Sequence, residues 1–207
     1  MMLEQTLQYH MIRDDVGFLR LKRRYHHLFH WKAAFYAHVF SSIFCLLAAF
    51  TQFAPIRTRT LALIHRWSGR AYVFIILLVA APSGVVLACY AEGGIIGRIG
   101  FLTLALLWFT TTAMGLIAIR KRKIQSHLEW MTRSYALVFS AITLRLWQHW
   151  LDVLLPAHID LHPITAWLSW IPNLLLAEIL IRLVSRRRLK TAKGQQNDAR
   201  SSGVMPL

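Results

Sequence analysis

Three apolar runs limit this chain more than any other feature. Ala33–Ala54 is 22 residues without a charge, Ala71–Ala91 is 21 and Ile99–Ile119 is 21. A helix needs about 20 consecutive apolar residues to cross the hydrocarbon core of a bilayer. In lipid every backbone polar group must be satisfied within the segment, so such runs have to be helices. Two later stretches are long enough but less uniform. The region 127–151 carries Glu129, Arg133 and Arg145, and 163–186 carries Glu178 within its apolar part. The reading is therefore an all-α integral membrane bundle of about five helices with no β-sheet, with spans at about 33–54, 68–91, 98–119, 127–151 and 163–186. Residues 1–32 form a basic extramembrane or interfacial segment, and 191–207 a disordered cytoplasmic tail.

The net charge of +15 would suggest nucleic acid in a soluble protein. In a membrane protein it reads as topology, because cytoplasmic loops collect Lys and Arg. Arg57, Arg59, Arg66, Arg70, the run Arg120-Lys121-Arg122-Lys123 and the tail cations Arg186, Arg187, Arg188, Lys190 and Lys193 fall on one side. The turn after the second span holds only Arg98, and Leu151–His162 holds no Lys or Arg. This predicts an integral membrane protein with a cytoplasmic C-terminus and a lipid bilayer, not nucleic acid, as its surroundings. Six cations within 1–32 break the pattern, which points either to an upstream helix or to a basic helix lying along the interface.

Cys45 and Cys89 lie in apolar runs without a Cys-x-x-Cys spacing, which argues for packing residues and against covalent haem attachment. Pro82-Ser83-Gly84 should loosen or kink the second span. Glu92-Gly93-Gly94 reads as the tight turn that follows it.

Intramembrane polar groups are costly and are read first as sites. Antiparallel counting places them in two layers. His65 and His127 each open a span on the cation-rich side, while His38 and His149 lie near the other side. Arg133 and Glu178 sit at similar depth and are expected to pair. Arg145 and Asn173 form an outer polar layer with His38. Paired histidines on facing helices are the usual way to hold a b-type haem, each imidazole giving one nitrogen to iron. Arg66 and Arg70 are candidate partners for the propionates. The plainer reading is that these groups cap and pack interfacial helix starts.

The ordered motifs resemble a bacterial multi-pass membrane family, domain of unknown function 2306. They include Phe35-Tyr36-Ala37-His38, Thr51-Gln52-Phe53, His65-Arg66-Trp67-Ser68-Gly69-Arg70-Ala71-Tyr72, Ala81-Pro82-Ser83-Gly84, and Trp108-Phe109-Thr110. Further on are His127 with Trp130-Met131-Thr132-Arg133-Ser134-Tyr135, Ala141-Ile142-Thr143-Leu144-Arg145, and Trp170, Asn173 and Glu178. The resemblance runs from about residue 14 to 182 and marks His38, His65 and His127 as motif residues. It implies an additional helix upstream and no established activity. Three functions follow as expectations: electron transfer through a haem b with a membrane quinol or redox protein, a non-catalytic assembly or sensing role, or transport of a small anion by Arg66, Arg70, Arg133 and Arg145.

Overall fold

The structure is a computed structural model that describes residues 28–53, 57–156 and 159–201, with side chains as far as Arg188. The basic segment 1–27 and residues 202–207 lie outside the described residues. Helix α1 is Phe29–Phe53. The second span begins as α2, Arg59–Ile75, where Thr58 caps the first turn by accepting from the Leu61 N–H. It continues through a π-helical turn, Ile76–Ala80, into α3, Ala81–Cys89. Then come α4, Gly94–Arg120, α5, Ile124–Val138, α6, Ser140–Leu154, α7, His162–Leu168, and α8, Ile171–Ser201. The described residues are predominantly helical, with no strand among them.

Among the described residues, four stretches are long and apolar enough to cross a membrane: Phe29–Gln52, Arg59–Cys89, Gly94–Arg120 and His162–Arg188. The region 127–151 forms two abutting helices of 15 residues each, α5 and α6, joined at Phe139. The join has a local cause. Phe139 O accepts from both Ile142 N and Thr143 N, an overtightened turn, and the Thr143 hydroxyl also reaches that carbonyl at 3.1 Å. Back-bonding of this kind bends helices.

Pro82 acts one turn earlier than its own position. It lacks an N–H and its ring crowds the carbonyl four residues back, and the π-turn at Ile76–Ala80 absorbs the mismatch without breaking the span. At the next turn Gly93 sits at φ +86°, where an L side chain is strained. The three-residue link after α4, with Arg122 at φ 57°, folds α5 back against α4.

The tail differs from its sequence reading. Helix α8 runs on to Ser201, so 191–201 is helical. Lys, Ala, Gln and Arg are good helix formers, and extending an existing helix needs no new nucleus.

Packing is that of a membrane protein. Ala48, Ala49, Ala80, Ala81, Ala105 and Ala118 are buried, while Phe44, Leu47, Phe50, Leu106 and Leu176 face outward. Small residues inside let backbones approach where lipid supplies no hydrophobic drive. Helix α4 is the hub: it packs against α3, α5 and α7, and α8 docks on α5. Of the cysteines, Cys45 is buried and Cys89 is exposed, so only the first is a core residue. Cys89 faces outward on the last turn of α3.

Candidate functional site

Antiparallel connection brings the start of α2, the end of α4 and the start of α5 to one end of the bundle. Arg57, Arg59, Arg66, Arg70 and the Arg120–Lys123 turn all lie at that end and are exposed. His65 and His127 lie just inside it, close enough for their charges to interact. The His127 Nδ1 is 2.9 Å from the Gly115 carbonyl oxygen on α4. A carbonyl only accepts, so Nδ1 carries the proton and the lone pair is left on Nε2. Gly115 is required for this approach: a Cβ there would stand 2.7 Å from the Met131 sulfur. His65 Nδ1 is buried with no hydrogen-bond partner. Helices α2 and α5 make little direct backbone contact.

Below His65 the end of α1 locks onto α2. Gln52 Nε2 donates to Ser68 Oγ at 2.6 Å and to the His65 carbonyl at 3.1 Å, and Thr51 Oγ1 lies 2.8 Å from Ser68 Oγ. A Cβ on Gly69 would meet the Gln52 amide oxygen at 3.1 Å. Thr51-Gln52 and Ser68-Gly69 are thus two halves of one joint. It fixes the turn that carries His65.

One layer deeper lies a junction that sequence reading did not single out as chemistry. Tyr72 Oη is 2.8 Å from Ser134 Oγ, which is 2.7 Å from Thr112 Oγ1, and the Thr112 hydroxyl donates to the Trp108 carbonyl at 2.7 Å. Tyr72, Ser134 and Thr112 are all fully buried. The terminal carbonyl orders the protons: Thr112 gives to Trp108 O, so Ser134 gives to Thr112 and Tyr72 gives to Ser134. Tyr135 packs on Tyr72 with ring centroids 4.7 Å apart. No spacing along the chain signals it, because the three residues lie on α2, α4 and α5.

Arg133 and Glu178 join α5 to α8. Arg133 Nε lies 2.5 Å from one carboxylate oxygen and the second guanidinium nitrogen 3.1 Å from the other. The guanidinium also lies over the Trp130 ring, 4.7 Å from its centroid. A two-point contact plus a cation–π face leaves little of this arginine unsatisfied.

The other residues disperse. Arg66 bends back to the Ala62 carbonyl at 3.2 Å and Arg70 covers Trp67, both exposed at the membrane edge rather than aimed between His65 and His127. Arg145 is exposed and reaches the Ala141 carbonyl of its own helix. Asn173 instead donates to Thr143 Oγ1 at 3.1 Å and to the Ser169 carbonyl at 3.2 Å, tying α6 to α8. The four arginines proposed for anion transport therefore do not converge. Arg133 is paired, Arg66 and Arg70 lie one turn apart on an exposed face of α2, and Arg145 is exposed on α6.

His38 belongs elsewhere. Its Nδ1 is 2.9 Å from the Ala80 carbonyl, while Gln52, 14 residues along α1, touches His65. That separation is about 21 Å at 1.5 Å per residue. His38 lies in a cavity of about 310 Å³ toward the other end of the bundle, between α1, α3, α4, α6 and α7. It cannot join His65 and His127 on one cofactor. Among the described residues no three His, Cys, Asp or Glu side chains are grouped to hold a metal ion.

No curated protein and no solved structure matches this chain. A family model does, over residues 35–181, and those bounds enclose the His38 cavity, the His65–His127 face and the Arg133–Glu178 pair. The chain belongs to the family described as a predicted membrane protein (DUF2306).

Proposed function

We propose that this membrane protein holds a b-type haem between His65 and His127 and passes electrons through it, from a membrane quinol or a redox protein. The observation that carries the reading is the His127 contact. Its Nδ1–H is held by the Gly115 carbonyl, which leaves the lone pair on Nε2, and His65 lies near it at the same end of the bundle. Metal-ligating histidines almost always donate their other ring nitrogen in this way, which fixes the tautomer and raises ligand basicity. Two imidazoles without a third ligand suit haem better than zinc, which takes four. When bound, haem would supply one-electron chemistry. The Gln52–Ser68 joint and Gly115 position the two rings, and the cations of Arg120–Lys123 lie at the same end of the bundle to meet carboxylates. By the positive-inside pattern that end faces the cytoplasm of a bacterial inner membrane, as does the C-terminus.

The test is an absorption spectrum of the full chain expressed with added haem. A Soret band lost in both His65→Ala and His127→Ala, and kept in His38→Ala, is the expected result. A purified, folded chain without the band refutes the reading.

A second reading is favoured by one observation: the Gln52, Ser134, Arg133 and Asn173 motif groups all satisfy one another within the bundle. They would then fix helix packing in an assembly or sensing protein. Under that reading His65→Ala lowers the amount of folded protein with no chromophore to lose.

A further inference from the structure

Helix α1 presents His38 and Ser42 one turn apart on the same face, and both line the cavity of about 310 Å³. The rest of its wall is largely apolar, with Phe35, Leu104, Trp108 and Leu144 contributing. Ligand sites share this composition: a mostly apolar pocket of about 300 Å³ or more with a few polar groups that fix orientation. The two polar groups here are specific. The His38 Nδ1 edge is turned to the second span, where it bonds to Ala80 O, and a Cβ on Gly84 would stand 3.1 Å from its Cε1. The glycine therefore lets the ring lie flat against α3. With Nδ1 as the donor, Nε2 can only accept, and among the described residues no hydrogen bond reaches it. Ser42 Oγ is buried and has no hydrogen-bond partner. A buried hydroxyl without a partner calls for an explanation, and a ligand entering the cavity supplies one.

We infer that this cavity binds a membrane-soluble hydroxyaromatic molecule of the hydroquinone class, whose hydroxyl donates to His38 Nε2 while Ser42 Oγ takes up the same oxygen. Several features select this class. The site lies within membrane-spanning helices, so its ligand arrives through lipid. An acyl chain has no donor for Nε2, and an anion is disfavoured by the lone pair that would meet it there. Trp108, edge-on to His38 with centroids 6.5 Å apart, offers an aromatic wall. The inference deepens the electron-transfer reading by giving its reductant a place, yet binding itself does not depend on haem.

The full chain in lipid nanodiscs is titrated with an alkylated trimethylhydroquinone and, separately, with its di-O-methyl ether, which keeps the ring and alkyl tail, is bulkier only by the two methyl groups, and has no donor. Tryptophan fluorescence and melting temperature report binding. The hydroquinone is expected to bind about tenfold more tightly than the ether, the value of one or two hydrogen bonds. His38→Ala removes that preference, and Leu144→Trp abolishes binding of both by filling the cavity. Should His38→Ala fail to fold, Ser42→Ala carries the test and narrows the preference severalfold. Equal binding of hydroquinone and ether, or a preference that survives loss of His38 or Ser42, overturns the inference and leaves an apolar cavity for lipid tails. A chain without a Soret band that still prefers hydroquinone refutes the haem and keeps this site. The reverse outcome refutes only the site.

Discussion

Replacing Ser134 with alanine should cost more than its small size suggests. Ser134 Oγ stands in the middle of a directed relay, accepting from Tyr72 and donating to Thr112, with all three residues fully buried. The substitution removes both bonds and strands the Tyr72 O–H without an acceptor. Leaving a buried donor unpaired costs about 1–3 kcal/mol, so about 2 kcal/mol is expected for Ser134→Ala. Tyr72→Phe removes one bond and strands nothing, because Ser134 still donates to Thr112, and hydrogen bonds within membrane bundles average about 0.6 kcal/mol. In the double variant the stranded hydroxyl is gone and Thr112 keeps its bond to the Trp108 carbonyl. Its loss should be about 1 kcal/mol rather than the additive sum of about 2.5 kcal/mol. Reversible unfolding in mixed micelles, or steric trapping in bilayers, measures all four corners of this cycle. A double variant as unstable as the sum of the singles refutes the relay.

The remaining predictions rest on other contacts. Arg133→Met leaves a half-buried carboxylate facing Trp130 and should cost about 1–2 kcal/mol, below the value for a fully buried pair because Glu178 is partly exposed; Arg133→Met with Glu178→Leu should restore much of it in the same unfolding assay. Gly115→Ala drives a methyl into Met131 and should cost about 1–3 kcal/mol, with recovery on adding Met131→Ala. Gly93→Ala combines a positive φ with a Cβ 2.7 Å from the Pro163 backbone nitrogen, which cannot move aside, so folded yield should fall sharply in detergent extracts. Outside the spans, the His162 side chain bonds to Asp160 and holds its carboxyl below the usual carboxylate range. A depressed value means the bond is intact above the ordinary carboxylate range and is lost as pH falls through the lowered one. The Asp160 carboxyl-carbon resonance should therefore move only in that acid window, and in His162→Ala it should move at higher pH, in the ordinary carboxylate range.

How much of the site was legible depends on what kind of signal each residue gives. His65 and His127 could be assigned to one end of the bundle because run lengths and loop charges set the direction of each span. The same count put Arg133 and Glu178 at one depth, and these two are in contact. Arg145 and Asn173 were also matched in depth, yet they point apart, because depth along an axis says nothing about rotation around it. Rotation likewise separates Arg66 and Arg70 from the histidine pair. Tyr72, Thr112 and Ser134 escaped notice as chemistry because single hydroxyls in apolar runs look like ordinary membrane residues until three meet. The break at Phe139 had no proline or glycine to announce it.

The sequence by itself determined the class of fold, since runs of about 20 apolar residues have no stable alternative to helices in lipid. It also determined which turns share an end, because short links force neighbouring helices to run antiparallel. Tertiary structure alone decided which faces meet. Gly115 admits the Met131 sulfur and thereby lets His127 reach its carbonyl, and Gly84 admits the His38 ring and thereby frees Nε2 for the cavity. Those outcomes turn on a missing Cβ a few ångströms from a neighbour distant in sequence. No pattern along one helix records what lies across from it.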